Sequence, residues 1–231
     1  MKILIVIPAY NEEESIIPVL EDLEKNLPQY DYVVVNDGSS DATVKVCREK
    51  GAPLIDLPVN LGLSGAFSTG MKYAKENNYD GVIQFDADGQ HLSEYIPKMV
   101  AELEKGFNIV IGSRFVTEKK PFTSRMAGSF LISTAIKIMT RKKINDPTSG
   151  MRLFDKKMIH EYATNLNMTP EPDTISYLIR RGAKVSETQV VMEDRIAGES
   201  YLNFSRSIKY MVRMAISIMI LQPFRDKSQI N

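Results

Sequence analysis

The sequence is poor in cysteine, has no excess of either charge and contains no long apolar run. Its single cysteine, Cys47, cannot form a disulfide within the chain, which favours a reducing, cytosolic setting. Lys plus Arg and Asp plus Glu each number 29, so the chain has no overall basic field for nucleic acid. The composition therefore predicts a protein that binds no nucleic acid, and any anion site must be local.

The apolar runs are too short for a signal peptide or a membrane span. Residues 3–7 are five apolar residues that end at Pro8, which favours a buried strand. No stretch reaches the roughly 18–20 apolar residues that a spanning helix needs. Without an internal repeat or a strong linker, the 231 residues suit one catalytic domain, residues 1–200, followed by a tail, residues 201–231.

Apolar runs and amphipathic segments alternate along the chain, which indicates an α/β fold with a mostly parallel sheet. Ligands of such sheets bind beyond the carboxyl ends of the strands. The predicted strands are residues 3–7, 32–35, 54–57, 82–85, 109–111 and 184–192. The predicted helices are residues 13–27, 40–50, 65–77, 93–105, 124–141 and 174–181.

Two carboxylates one residue apart, Asp86 and Asp88, follow the predicted strand 82–85. They would repel each other unless a cation lies between them, and Mg²⁺ or Mn²⁺ fits because both prefer oxygen ligands. Gln90 could supply a further oxygen. An ordinary acidic turn is the alternative interpretation, and His91 is a weaker ligand candidate, better interpreted as a loop histidine that is exposed or hydrogen-bonded locally.

Aromatic and acidic side chains also follow the first two predicted strands. Tyr10 could stack on a nucleobase, and Asp37 could accept a hydrogen bond from a base N–H. Each residue alone is equally typical of an ordinary capped turn. Because these turns and the one at Asp86 lie at the same edge of one sheet, together they predict a nucleotide site.

Four motifs in this order, I-P-A-Y-N-E, N-D-G-S-S-D, N-L-G-x-x-G-A and D-A-D-G-Q, resemble family 2 glycosyltransferases of the GT-A fold. The similarity runs from residue 3 to about residue 201 and points to the dolichol-phosphate mannosyltransferase-like and bacterial polyprenyl-phosphate glycosyltransferase branch. It implies a GT-A fold, with a nucleotide-binding sheet flanked by helices and an amphipathic C-terminal helical tail.

The resemblance also implies the residues of a donor site. Mg²⁺ or Mn²⁺ would be held by Asp86, Asp88 and Gln90. The nucleotide sugar would be bound by Pro8, Ala9, Tyr10, Glu12, Val35, Asp37, Asn60, Asp86, Ala87, Asp88 and Arg114.

On the acceptor side the resemblance implies three cations, Arg114, Arg125 and Arg195, that would grip a phosphate through forked contacts. A phosphate acceptor is already anionic and needs no general base, whereas a hydroxyl acceptor does. Glu171 and Asp173 could be that base or could orient the arginines. Many relatives have lysine where this chain has Tyr201, so one phosphate contact is either missing or supplied by Arg206 or Lys209.

The predicted function is an inverting, metal-dependent transfer of a sugar from a nucleoside diphosphate, with UDP favoured, to polyprenyl phosphate. We expect the enzyme at the cytoplasmic face of the membrane. One alternative is a sugar hydroxyl acceptor in cell-wall or surface polysaccharide synthesis. Another is a catalytically silent nucleotide-binding adaptor, against which the intact D-A-D-G-Q argues.

The residue pattern of the tail predicts an amphipathic helix over residues 201–222, which would lie in the membrane interface. Three cations, Arg206, Lys209 and Arg213, recur at helical spacing on one face. The opposite, lipid-facing side would carry Phe204, Ile208, Met211, Ala215 and Ile218. The alternatives are that this face packs on the protein's own core, on another subunit of a homo-oligomer or on a small integral-membrane partner.

Overall fold

A seven-stranded sheet runs through the protein in the order β3-β2-β1-β4-β6-β5-β7. The computed structural model describes residues 1–121, 124–165, 167–196, 204–225 and 230. All neighbouring strands pair in parallel except β6, which is antiparallel to both β4 and β5. The strands are β1 (Ile3–Ala9), β2 (Asp31–Asn36), β3 (Leu54–Asp56), β4 (Gly81–Gln84), β5 (Ile109–Ser113), β6 (Arg152–Asp155) and β7 (Val185–Gln189).

Helices cover both faces of the sheet because successive strand residues point to opposite sides. Leu4 and Val6 of β1 belong to the core on one face, whereas Ile3 and Ile5 belong to the core on the other. The first core is completed by helices α3 (Gly62–Glu76), α5 (Ser124–Thr140), α6 (Lys156–Thr164), α7 (Pro172–Arg180) and α8 (Phe204–Ile216). The second is completed by α1 (Ile16–Asn26), α2 (Thr43–Lys50) and α4 (Ile96–Glu104).

The predicted α/β architecture with a mostly parallel sheet is confirmed, and every predicted strand and helix is present with shifted ends. The sequence analysis missed β6 and α6. Strand β6 has only four residues and both of its ends are charged, Arg152 and Asp155, so it shows neither an apolar run nor an alternation. Asp155 also caps α6 by accepting a hydrogen bond from the Met158 N–H at 2.9 Å.

The C-terminal helix packs against the protein rather than standing apart from it. Helix α8 contacts α5 and α7, and the chain continues as a π-helical turn, Ser217–Leu221, and a 3₁₀ turn, Gln222–Phe224. The prediction that Met211, Ala215 and Ile218 face lipid is wrong, since all three side chains are buried in the protein. Apolar side chains of the neighbouring helices cover this face of α8, and the sequence alone could not show whether protein or lipid would do so. The side chains of Phe204 and Ile208 lie outside the described residues.

Other apolar side chains of the same region are exposed. They lie on α5, on α8 and in the turns that follow it, and they are Phe130, Leu131, Ile138, Val212, Ile216, Met219, Ile220, Leu221 and Phe224. Within the described part of the chain, no helix has both the length and the hydropathy to cross a membrane.

Helix α3 is held against the sheet by a close contact between Gly70 and Val6. A Cβ atom at residue 70 would lie 2.3 Å from Cγ1 of Val6, and valine on a central strand has little freedom to move. This contact sets the height of α3 over β1 and therefore the place where its first turn reaches the carboxyl edge of the sheet.

We predict that Gly70→Ala lowers the free energy of unfolding by about 1–3 kcal/mol, the usual cost of overpacking. Alanine favours a helix over glycine by only about 1 kcal/mol, so the clash with Val6 outweighs the gain. Urea unfolding followed by circular dichroism measures the difference. Lys72→Ala, on the exposed side of the same helix, is the control, and equal or greater stability of Gly70→Ala would contradict the contact.

Candidate active site

A cleft of about 620 Å³ opens at the carboxyl edge of the sheet, beyond the ends of β1, β2 and β4. Loops that follow these strands build its walls, and the first turn of α3 and one residue of the late chain, Arg195, complete it. The described residues that line the cleft are Pro8, Ala9, Tyr10, Glu12, Asp37, Asn60, Gly62, Leu63, Ala66, Asp86, Ala87, Asp88 and Arg195.

The loops after β1 and β2 are fastened to each other. The Asn11 side-chain oxygen accepts a hydrogen bond from the Ser40 N–H at 2.8 Å, and the Asn11 N–H donates to Oγ of Ser39 at 3.0 Å. The Glu12 N–H donates to Oγ1 of Thr43 at 2.8 Å. These bonds fix the wall that carries Tyr10 and Glu12 relative to Asp37.

Asp37 also fixes the entrance to α3. Its Oδ1 accepts a hydrogen bond from the Leu61 N–H at 2.7 Å, one residue before the helix begins at Gly62. The N-terminal end of this helix, with Gly62, Leu63 and Ala66, therefore lines the cleft, and its positive dipole end favours anions. Sequence analysis assigned Asn60 to the donor site but missed Leu63 and Ala66, which the helical turn brings to the same wall.

The turn after β4 is clamped by the segment that follows β7. The backbone N–H groups of Glu193 and Ile196 donate to the carbonyl oxygens of Gln90 and Asp88, each at 3.0 Å. The guanidinium of Arg195 lies 3.2 Å from Oδ2 of Asp88. Residues more than a hundred positions apart thus form one side of the cleft.

The cleft is electrostatically unbalanced. Among the described residues that line it, Glu12, Asp37, Asp86 and Asp88 are acidic, and only Arg195 is basic. Burial raises the pKa of Glu12 and Asp88, and repulsion by Asp86 raises both pKa values further, while Arg195 lowers them in part. Such a site favours a bound cation.

The carboxylates of the cleft fit a divalent cation whose remaining coordination positions are filled by oxygen atoms of the substrate. Two carboxylates, Asp86 and Asp88, stand on one turn, and Mg²⁺ sites commonly combine one or two carboxylates with phosphate oxygens and water. Among the described residues, no group of three or more His, Cys, Asp or Glu side chains could hold a metal by itself. The protein would therefore supply part of the coordination and the donor phosphates the rest.

The family model of glycosyl transferase family 2 matches residues 4–163, more than half of the chain. This chain belongs to glycosyltransferase family 2. The match covers the strands and loops that build the cleft, and the confirmed activity class is glycosyl transfer.

Named relatives lie in the branch that the motifs indicated. The undecaprenyl-phosphate mannosyltransferase of Micrococcus luteus is 29% identical over 217 residues, covering 88% of each chain. The dolichol-phosphate mannosyltransferase of Pyrococcus furiosus is 30% identical over 223 residues, covering 91% of this chain and 62% of its own. The glucosyl-3-phosphoglycerate synthase structure from Mycobacterium tuberculosis, complexed with Mn²⁺, UDP and phosphoglyceric acid, superposes with a TM-score of 0.69 at 18% identity. That match covers 97% of this chain and 79% of that one, which shows the fold.

Most of the residues that were predicted to bind the nucleotide sugar or the metal in this glycosyltransferase line the cleft, but three do not. The Val35 side chain is fully buried in the core. Gln90 turns its amide toward the late segment and donates to the Glu193 carbonyl at 3.3 Å. Arg114 lies beyond β5, where its Nε and Nη2 donate to the buried carboxylate of Asp146 at 2.7 and 3.0 Å.

The predicted acceptor arginines have different surroundings in this glycosyltransferase. Arg195 lines the donor cleft, Arg114 is engaged by Asp146, and the side chain of Arg125 lies outside the described residues. The Asp146 N–H is in turn bonded to Glu187 at 2.9 Å. The turn that carries Asp146 is therefore rigidly fixed to β7.

Glu171 and Asp173 lie outside the donor cleft and hold the C-terminal segment. Tyr210 donates to the Glu171 carboxylate, and Ser217 donates to Oδ2 of Asp173 at 2.7 Å. Burial raises the pKa of Glu171, whereas the Tyr210 hydrogen bond and the nearby Arg152 guanidinium lower it in part. Arg152, to which the sequence analysis assigned no role of its own, is 2% exposed and donates to the carbonyls of Pro147 and Pro170.

The raised pKa of Glu12 leads to a pH-dependent stability. The folded protein holds the Glu12 proton more tightly than the unfolded chain, so ionisation costs folding free energy as the pH rises from about the ordinary value of 4.5 through the raised value. We predict that Glu12→Gln raises the melting temperature of metal-free protein at pH 7. The gain should shrink toward zero below the ordinary pKa.

Thermal unfolding of both proteins between pH 4 and pH 8 measures this difference. Glu14→Gln is the control, because Glu14 is exposed two residues away. A Glu12→Gln gain that is the same at every pH would mean that charge is not its cause.

Proposed function

We propose that this glycosyltransferase moves a sugar from a nucleoside diphosphate to the phosphate of a polyprenyl phosphate, with inversion at the sugar. The names of the relatives from M. luteus and P. furiosus support a lipid-phosphate acceptor. UDP is the favoured nucleotide, a preference supported by the UDP bound in the M. tuberculosis synthase. The cation is Mg²⁺ or Mn²⁺, and the sugar is left open.

The observation that carries this proposal is the acidic cleft. A nucleoside diphosphate is an anion, yet the charged side chains among the described residues that line its site are four carboxylates and one cation, Arg195. Binding would become favourable with a divalent cation held by Asp86 and Asp88, whose charge would offset that of the diphosphate. When bound, such a cation supplies Lewis-acid stabilisation of the charge that develops on the leaving diphosphate.

The protein's own residues position the reacting groups. Tyr10 and Asp37 hold the nucleoside, and the first turn of α3 directs N–H groups toward the anionic part of the donor. Arg195 already touches Asp88, so it lies where it can contact donor or acceptor phosphate as that ion pair rearranges. An acceptor phosphate attacks the anomeric carbon from the face opposite the diphosphate and needs no general base.

Two segments of the chain have a composition that suits an acceptor with an anionic head and an apolar tail. Residues 124–145 contain Arg125, Lys137, Arg141, Lys142 and Lys143, and residues 201–225 contain Arg206, Lys209, Arg213 and Arg225; neither segment contains Asp or Glu. In a chain of zero net charge this is a local excess of cations. It coincides with the exposed apolar side chains of α5 and the C-terminal turns.

A second cavity, of about 480 Å³, lies on the same side as these cations. Its walls include three cations, two aromatic rings and one carboxylate, namely Lys120, Lys137, Lys143, Phe115, Phe130 and Glu118. Burial lowers the pKa of Lys120, whose ammonium donates to Oγ of Ser129 at 3.0 Å. Cations and aromatic rings around one cavity support the approach of a lipid phosphate from this side.

We further propose that the exposed apolar side chains of α5, α8 and the C-terminal turns rest on the cytoplasmic face of the cell membrane. This surface replaces the face of α8 that the sequence analysis assigned to lipid. The surrounding lysines and arginines would meet anionic headgroups while Phe130, Leu221 and Phe224 enter the interface. A peripheral position brings the active site to a substrate whose tail stays in the bilayer.

A sugar hydroxyl acceptor is the second candidate, and the observation that favours it is the acidic pair Glu171 and Asp173. The hydrogen bonds from Tyr210 and Ser217 support a different role for the pair, the anchoring of the C-terminal segment. Polyprenyl phosphate is therefore the preferred acceptor.

We predict that Asp88→Ala lowers transfer by a factor of about 10³ or more. Lewis-acid stabilisation is worth several kcal/mol, and each ~1.4 kcal/mol is tenfold in rate. The assay uses labelled UDP- and GDP-sugars with Mn²⁺ and undecaprenyl phosphate, and an excess of chelator should stop the wild-type enzyme. Glu104→Ala, which removes an exposed carboxylate of α4, should keep full activity; undiminished transfer in chelator would refute metal dependence.

We predict that Asp173→Asn lowers kcat less than about tenfold with undecaprenyl phosphate, because the asparagine oxygen still accepts the Ser217 hydrogen bond and no base is required. Initial rates at saturating donor measure the effect. A loss of about 10²–10⁴-fold, the scale of general-base removal, would favour the hydroxyl acceptor instead.

We predict that the triple variant Phe130→Ser, Leu221→Ser, Phe224→Ser floats with vesicles of phosphatidylglycerol and phosphatidylcholine much less than the wild-type protein does. These side chains are 66%, 59% and 88% exposed, so the triple variant should fold normally. Val59→Ser is the control, because Val59 is 58% exposed on the loop after β3. Equal flotation of the triple variant and wild type would show that this surface is not the membrane contact.

A further inference from the structure

His91 is buried directly behind the metal-binding turn. Its side chain is 2% exposed, and its ring packs edge-on against Phe85 with centroids 5.4 Å apart. A β-bridge to Met192 fixes its backbone. The ring therefore has a single orientation, set by the core on one side and the late segment on the other.

The two ring nitrogens of His91 both face Asp86. Nδ1 accepts a hydrogen bond from the Asp86 backbone N–H at 3.0 Å, so this nitrogen carries no proton. The proton of the neutral ring is then on Nε2, which lies 3.5 Å from Oδ2 of Asp86. One imidazole thus holds the main chain of Asp86 and places its Nε2 near the carboxylate of the same residue.

Gly150 closes the other side of the same carboxylate. A Cβ atom at residue 150 would lie 2.8 Å from Oδ2 of Asp86 and 3.4 Å from Cε1 of His91. The first distance is shorter than ordinary contact, so any larger residue would push the carboxylate away. The missing side chain leaves room for one orientation of Asp86, between the imidazole and the backbone of the turn that begins at Asp146.

We propose that His91 and Gly150 are positioning residues that hold the Asp86 carboxylate in the orientation that binds the metal–diphosphate complex. The proposal rests on the proposed function, in which Asp86 contributes to the metal site. Partners that orient metal-binding side chains typically contribute 10–100-fold to metal affinity, although they touch neither the metal nor the substrate. His91 acts through the proton on Nε2 and Gly150 through the space that it leaves.

The test compares His91→Asn, His91→Gln and Gly150→Ala with wild type. Asparagine can keep the acceptor for the Asp86 N–H but cannot reach the carboxylate, whereas the glutamine amide can place an N–H near the position of Nε2. Mn²⁺ binding is measured by electron paramagnetic resonance of free Mn²⁺ in the presence of UDP, and separately of GDP. His160→Asn, at the exposed second histidine, is the control.

We expect about 10–100-fold weaker Mn²⁺ affinity for His91→Asn and Gly150→Ala, and a loss of less than about threefold for His91→Gln and the control. Melting temperatures identify any variant that does not fold. If His91→Asn is unfolded, Gly150→Ala decides the matter, since it removes no hydrogen bond. Should Gly150→Ala also be unfolded, even though its backbone tolerates alanine, the positioning proposal is rejected in favour of a purely structural role.

The outcomes separate this proposal from the one on which it rests. Wild-type protein that binds no Mn²⁺ with either nucleotide would remove the metal site itself. Wild-type binding together with unchanged affinity in folded His91→Asn or Gly150→Ala would overturn the positioning role and leave the metal site standing.

Discussion

Repulsion among carboxylates at one edge of the sheet is the constraint on which the rest of the active site depends. Parallel pairing of β1, β2 and β4 makes their carboxyl ends coincide, which brings Glu12, Asp37, Asp86 and Asp88 around one cleft. Burial further increases the free-energy cost of ionising these carboxyl groups, and for this reason the pKa values of Glu12 and Asp88 are raised. The fold tolerates this arrangement because its large apolar cores lie on the two faces of the sheet, away from the edge.

Within the described part of the cleft, the positive charge of Arg195 offsets this repulsion. Its ion pair with Asp88 and the backbone bonds from Glu193 and Ile196 draw the late segment over the turn after β4. Under the proposed function, a cation that binds with the nucleoside diphosphate would compete with Arg195 for the carboxylate of Asp88. In the proposed function, Arg195 would then be released from Asp88 toward a phosphate of the substrate.

Much of this arrangement could be read from the sequence. Six of the seven strands could be predicted from their apolar residues, and the turns at Tyr10, Asp37 and Asp86 could be assigned to a common edge because parallel strands share a direction. Short charged elements could not be read, and β6 is the example: Arg152 is buried by its antiparallel partners, which only the assembled sheet provides. The packing of Met211 and Ile218 escaped prediction for a similar reason, since an apolar helix face looks the same whether lipid or protein covers it.

The sequence by itself determined the α/β fold, the acidic turns and their common edge, because hydrophobic period and strand direction are local properties of the chain. The tertiary structure decided the partners of each charge. Asp146 engages Arg114, Asp88 engages Arg195, and Tyr210 and Ser217 engage the acidic pair before α7 and at its start. Ion pairs and hydrogen bonds form between groups within a few ångströms, and for residues thirty to a hundred positions apart that distance is set only when the helices and strands have packed.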